Sequence, residues 1–440
     1  MSVTYQGTQT IVEGAPLLTS RTEAHLLWLA GGFVLVNFAA LTLIRPENWL
    51  SHLLCVLIWV LSAVVSHRVL RLTLPGHDVL LLPVVLFLSG WGLAAIERLA
   101  PRFGDRQALW LALSVMVMLA VASFPRVLYW LRNYRYVWLV LGLGLLISTI
   151  LLGRNPTGQI GAPQLWLGFG GLYFQPSEAL KVILVAFLAS YLGEQYPAMR
   201  TAQPDGQRLA LSPRIYGPIL LMWGLSVVVL VWQRDLGTAI LFFMVFLILL
   251  YVASGNTLIL LSGALLITAA AFVAYRLFSV VQLRIDIWLN PWPEAEGRAF
   301  QLVQSLQAFA SGGIFGQGIG QGAPYYIPVV HSDFIFAAIA EEWGLLGCIV
   351  VVICIALLTM RGLRIALLQQ GRPFRTLLAV GLSSLIGIQS LMIMGGVLRV
   401  FPLTGVTLPF VSYGGSSLLM SFIIVGILLR LSVEAQQPSI

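Results

Sequence analysis

The chain has 440 residues, of which 59% are hydrophobic and only 10% charged, with a formal net charge of +8 at pH 7. That balance excludes a soluble globular domain and matches a stack of bilayer-crossing helices. The positive charge belongs mainly to loop arginines at an anionic leaflet, so it does not argue for a nucleic-acid partner.

The first 25 residues are polar, contain Thr and Glu and lack a basic leader, and read as a cytoplasmic tail rather than a signal peptide. Apolar runs of about 20 residues, the length needed to cross the hydrocarbon, follow near 26–44, 50–66, 79–97, 107–124, 137–152, 177–193, 215–232, 238–253, 257–278, 335–358, 376–398 and 414–431. The expected fold is therefore all-α and polytopic, with about twelve spans. The first two, within 26–75, stand apart through the charged Pro-Gly joint from Arg68 to Asp78 and form an added pair ahead of a ten-span core at 76–432; residues 433–440 are a second tail.

Arginines orient the chain, because short cytoplasmic loops retain positive charge. Arg68/Arg71, Arg126/Arg132/Arg135, Arg200/Arg208/Arg214 and Arg361/Arg364/Arg372/Arg375 all fall inside when both termini are cytoplasmic. The long 279–334 loop then lies outside. It is half apolar, with glycines 312, 313, 316, 318, 320 and 322 among Ile, Phe and Tyr, which suits a partly re-entrant segment packed on the bundle. The outer loop at 153–176 places Trp166, Tyr173 and Phe174 among glycines at headgroup level. Cys55, Cys348 and Cys354 lie in apolar runs, so neither a disulfide framework nor a metal knuckle is indicated.

Of the seventeen acids, Glu178, Asp235, Asp333 and the pair Glu341/Glu342 lie at or within spans, where a carboxylate is costly to keep. Asp333 sits at the outer mouth of a span. It is either a helix N-cap accepting backbone N–H bonds or a partly desolvated general base. Glu341, about 12 Å deeper at the helical rise, reads as a structural ion-pair member or a site residue. Lys181 is the sole lysine and lies one turn after Glu178, as a neutralising pair or as a cation for a phosphate group. Asp235 sits at a tight outer turn. Gln301, Gln304 and Ser305 share a polar face, either solvated or sugar-contacting. His331 adjoins the candidate acid, and Ser412 belongs to a small-residue run before the last span, where close helix packing is the plain explanation.

These pieces together resemble one family. Gln175-Pro176-Ser177-Glu178 with Lys181, Asp235-Leu236-Gly237-Thr238, Pro291-Trp292 with Gln301 and Gln304-Ser305, Ser332-Asp333-Phe334-Ile335-Phe336 with Glu341-Glu342, and Pro402–Gly405 leading to Ser412-Tyr413-Gly414-Gly415-Ser416 are similar, in order and spacing, to the SEDS proteins of bacterial cell-wall synthesis, the RodA and FtsW group. The resemblance implies a multi-pass protein of the bacterial cytoplasmic membrane that polymerises lipid II at the outer face, with inversion. It implies Asp333 as the essential acid, here taken as general base. Lys181 and Arg284, with a divalent cation such as Mg2+ or Mn2+, would stabilise the diphosphate leaving group. Trp166 would line the substrate groove, and Gln175, Glu178, Asp235, His331, Ser332 and Ser412 would border it. The expected partners are lipid II, membrane lipids and a class B penicillin-binding protein. Asn290, Arg234, Leu165, Ile393 and Arg399 depart from the family pattern, and Thr404 looks more like RodA than FtsW. A lipid-linked oligosaccharide flippase and a non-catalytic transpeptidase scaffold are the competing functions.

Overall fold

The computed structural model describes residues 20–155, 164–169, 172–201, 224, 235–369 and 371–435. Its helices are α1 (Ser20–Ile44), α2 (Trp49–Thr73), α3 (Leu81–Leu99), α4 (Pro101–Ser123), α5 (Val127–Asn133), α6 (Arg135–Leu152), α7 (Pro176–Thr201), α8 (Leu236–Ser254), α9 (Leu258–Leu277), α10 (Ser279–Leu289), α11 (Phe300–Gly312), α12 (Ile335–Leu368), α13 (Pro373–Val397) and α14 (Gly415–Glu434). A short antiparallel hairpin of β1 (Leu167–Phe169) and β2 (Leu172–Phe174) pairs Leu167 with Phe174 in the outer loop. Among the described residues, eleven helices are long and apolar enough to cross a membrane. The remaining expected span, 215–232, lies outside them, as do Arg208, Arg214 and Arg234.

Helices α3, α7, α13 and α14 form the buried centre, while α9 turns nearly all its surface outward. Exposed Leu, Ile, Phe and Val on α1, α2, α6, α9 and α12 form the surface that acyl chains would cover. The added pair is not loosely attached. Phe33 of α1 packs on Trp91 of α3 and Trp343 of α12 at centroid distances of 5.0 and 5.2 Å, and the Trp59 indole of α2 donates to the Leu86 carbonyl at 2.9 Å. Aromatic contacts of this kind add to the area they bury.

Helix α12 is interrupted. Gly344 takes φ +66 and ψ −163, and the glycine loop after α11 fills the break. Gln317 N donates to Glu341 O at 2.8 Å and Gly318 N to Glu342 O at 3.0 Å, while Leu345 N and Leu346 N donate to the Gly313 and Ile314 carbonyls at 2.9 and 3.2 Å. Backbone at membrane depth must find internal partners, and here loop and broken helix satisfy each other. A Cβ on Gly344 would strike Ile314 and Gly316, and one on Gly316 would strike Glu342 and Trp343, so both positions need glycine for close approach as well as for positive φ. The glycine-rich part of the 279–334 loop is thus packed on the bundle.

Alternating helices bring one set of ends together. Arg45 after α1 donates to Arg98 O at the end of α3, Arg98 reaches the Gly320 and Gly322 carbonyls, and Arg284 of α10 reaches the 403–404 segment after α13. The opposite end carries the ion pairs Arg135–Glu194, Arg361–Asp78 and Arg375–Glu434.

Candidate active site

Asp333 lies just before α12 but does not cap it. The N-cap position is Phe334, with no side-chain cap bond, and the Asp333 carboxylate instead accepts the Ser332 hydroxyl at 2.8 Å. Ser332 is held from behind, its carbonyl accepting the Ser412 hydroxyl at 2.5 Å, while Ser412 Oγ accepts Leu408 N at 2.9 Å. Tyr413 N donates to His331 O at 2.8 Å, and the His331 ring packs on Phe103 and Tyr413. Three chain segments thus converge behind one carboxylate.

Arg284 faces this carboxylate from α10. Its Nη1 donates to the Leu403 and Thr404 carbonyls at 3.2 and 3.3 Å. Gly405, exposed and at φ +71, passes over both groups, so that a Cβ there would lie 4.0 Å from Arg284 Nη2 and from Asp333 Oδ2. Among the described ion pairs none contains Asp333, so guanidinium and carboxylate share a space without closing on each other. Asp235 completes the group. Its Oδ1 accepts Thr238 N at 3.3 Å as the cap of α8, and its Oδ2 is buried without a partner. Thr404 Oγ1 is likewise buried and unpartnered. Orphaned polar atoms around a paired-up framework mark a place prepared for something else.

Burial pushes the Asp333 carboxyl above its ordinary range, against the Ser332 hydrogen bond and the positive Arg284. Asp333 as a residue is half-buried rather than sealed in the bundle. Burial also lowers Arg284 from its usual value, with Asp235 and then Asp333 opposing the shift, and lowers His331, which favours a neutral imidazole. A desolvated carboxylate with a raised pKa next to a fixed cation is suited to taking a proton where negative charge develops.

The other sequence candidates divide. Gln301 donates to Pro328 O at 3.4 Å and steadies the segment leading to His331. Ser305 is buried, bonded to Leu302 O at 2.8 Å and Val397 O at 3.4 Å, and Gln304 beside it is half-buried. Glu341 accepts Ala323 N at 2.8 Å and Glu342 meets Arg98 at 3.3 Å, so both acids fasten the glycine loop. Lys181 is sealed in the bundle, donating to Glu178 Oε1 at 2.7 Å and Gln389 Oε1 at 3.0 Å. Gln389 in turn donates to Thr407 O at 2.8 Å. Gln175 bonds Ser177 at 3.0 Å, and Trp166 bridges to Arg154 through backbone bonds of 2.7 and 3.3 Å.

Two residues gain roles that the sequence did not suggest. Gln389 was a polar residue inside a span, the only signal it offered. Arg399 departs from the family pattern and adopts φ +59, and its guanidinium donates to the Trp288 and Leu289 carbonyls at 2.9 and 3.1 Å. It thereby closes the carboxyl end of α10, the helix that presents Arg284. Ile393 is buried among apolar neighbours.

Fold and site define a multi-pass membrane protein with an acid–arginine cluster at one end of its helix bundle. The sequence matches the family model FtsW/RodA/SpoVE, described as cell cycle protein, over residues 72–437, and the chain belongs to that family. It is 36% identical over 448 residues to the peptidoglycan glycosyltransferase RodA of Mycobacterium tuberculosis, covering 98% of this chain and 94% of that one. It is 33% identical to stage V sporulation protein E of Bacillus subtilis, covering 75% and 87%. A solved chain from a study titled "Structural coordination of polymerization and crosslinking by a peptidoglycan synthase complex" superposes with a TM-score of 0.68 at 26% identity, covering 83% of this chain and all of that one. The crystal structure of Thermus thermophilus rod shape determining protein RodA shares the fold, with a TM-score of 0.57 at 23% identity over 83% of this chain and 99% of that one.

Proposed function

We propose that the protein is a peptidoglycan glycosyltransferase that polymerises lipid II, with Asp333 as general base. The single observation that carries the reading is the half-buried Asp333, in no ion pair, beside an Arg284 that is fixed to backbone carbonyls and does not close on it. Asp333 takes the proton from an acceptor sugar 4-hydroxyl as its oxygen attacks the donor anomeric carbon. The bond from that carbon to the lipid diphosphate breaks, and the diphosphate leaves with the electron pair. Arg284 stabilises the charge of the departing phosphate. Were Mg2+ or Mn2+ bound, the unpartnered Asp235 Oδ2 and Thr404 Oγ1 are oxygens that would hold it, and it would supply further charge stabilisation for the diphosphate. Lys181 is not in this cluster's hydrogen-bond network; its two partners are Glu178 and Gln389, which favours a structural role and gives no support to a polar transport path through that point.

The arginine-rich end of the bundle belongs in the bacterial cytoplasm and the Asp333 end outside, by the charge asymmetry of the loops. The likeness to a chain of a peptidoglycan synthase complex that coordinates polymerization and crosslinking supports a crosslinking partner, which we take to be a transpeptidase of the class B penicillin-binding type. The test is polymerisation of purified lipid II by the protein with its partner, wild type against Asp333→Asn. Loss of polymer with unchanged partner binding supports Asp333 as the base, retained polymer excludes it, and absence of polymer from the wild type as well favours the scaffold.

A further inference from the structure

A second cluster of chemistry-bearing side chains lies away from Asp333, at the seam between the added helix pair and the core. Cys55 of α2, Glu97 of α3 and Asp105 of α4 each offer a ligand atom, and these atoms all lie within 4.8 Å of one another. Among the described residues no other His, Cys, Asp and Glu trio is so placed. His52, one turn before Cys55, stands beside this trio rather than within it, with Nε2 at 3.9 Å from Glu97 Oε1.

The hydrogen bonds leave this cluster short of protons. The Thr42 hydroxyl gives its one hydrogen to Phe38 O at 2.8 Å, so toward His52 Nδ1, at 2.9 Å, it accepts. Nδ1 of the imidazole therefore carries a proton, and Nε2 is the ring nitrogen turned toward a carboxylate. Ser51 Oγ stands 3.1 Å from Glu97 Oε1 and 2.6 Å from Asp105 Oδ1 and has one proton for the two. Glu97 is 1% exposed, and its Oε2 has no partner. That oxygen faces Gly104, beside Asp105, where a Cβ would collide with it. Arg45, the cation that acts on Glu97, has its Nη1 on the Arg98 carbonyl. Lone pairs thus converge on a point with too few donors, which is the arrangement a cation resolves.

We infer that His52, Cys55, Glu97 and Asp105 bind a divalent transition-metal ion of the zinc class, which clamps the amino-terminal helix pair onto the core. One thiolate, one imidazole and two carboxylates suit a tetrahedral borderline-soft ion rather than Mg2+ or Ca2+. Three atoms no more than 4.8 Å apart have a common point within about 2.8 Å, against about 2.0–2.3 Å for bonds to zinc, so small rotations bring these three onto one ion, and a turn of the His52 ring past Glu97 supplies the fourth ligand. Binding replaces the Cys55 S–H bond with a sulfur–metal bond and releases the proton to solvent, which the exposed Asp105 reaches. Thr42 is a positioning residue that fixes the imidazole tautomer.

The test strips the purified full-length protein with a chelator and titrates Co2+ alone, followed by thiolate-to-cobalt absorption, then displaces it with Zn2+. One ion per chain is expected, with the absorption lost in Cys55→Ser and kept in Cys348→Ser. Glu97→Gln and Thr42→Val are each expected to weaken binding about tenfold or more. Zn2+ should raise the melting temperature of wild type and not of Cys55→Ser. A folded wild-type protein without the cobalt–thiolate band, or a band that survives Cys55→Ser, overturns the assignment.

Discussion

Two carboxylates of this protein, Asp333 and Glu178, both sit at helix starts, and their surroundings differ in one respect. Glu178 is buried against Lys181, which also holds Gln389, and that amide reaches on to Thr407. Asp333 has a hydroxyl for company, an arginine that is tied elsewhere, and a half-buried position. A saturated ion pair holds helices together, whereas an acid with acceptor capacity to spare can take a proton. The contrast teaches that the partner list, more than residue type or depth, separates scaffold from chemistry.

That contrast makes opposite demands on substitution. Asp333→Asn keeps shape and removes the base, so polymerisation should fall about 10²–10⁴-fold while the melting temperature stays near wild type, as read by lipid II assay and thermal unfolding in detergent. Lys181→Met should do the reverse, leaving a carboxylate buried without its cation at a cost of about 3–5 kcal/mol in unfolding, most of it recovered in the Glu178→Leu/Lys181→Met pair. If the double variant is no better than the single one, the pair is not the structural unit described. Arg284→Gln should lower kcat about 10²-fold, since it removes the fixed cation at the leaving group. It should also displace the acid limb of the rate profile. Asp333 must be deprotonated to act, and its pKa is already raised, so activity is present above that pKa and lost as pH falls through it. Taking away a positive neighbour raises it again and moves the limb to higher pH. Ser332→Ala acts in the same direction through the lost hydrogen bond, by about one pH unit or less, and a shift toward lower pH would contradict the geometry.

Much of the site was legible before any coordinates. Asp333 and Asp235 stand out as acids at the mouths of apolar runs, Arg284 of the outer loop enters through the family resemblance, and the three come together. Ser412 looked like a packing residue and turns out to hold the Ser332 carbonyl. Glu341 also looked like a site candidate, yet its oxygen belongs to Ala323 N. The spacing of His52 and Cys55 carried a signal too weak to read alone, because their companions come from two other helices.

The sequence by itself determined the class of fold, the helix spans and the acid at a span's mouth, since bilayer thickness and the cost of buried charge act on local stretches of chain. Only the tertiary structure decided that the glycine loop fills the break at Gly344, that Lys181 bonds Gln389, that Arg399 closes α10, and that three ligand-type side chains meet at the α2–α3–α4 seam with His52 beside them. Those pairings join residues tens to hundreds of positions apart, and local periodicity records which face of a helix is apolar but not which neighbour it meets.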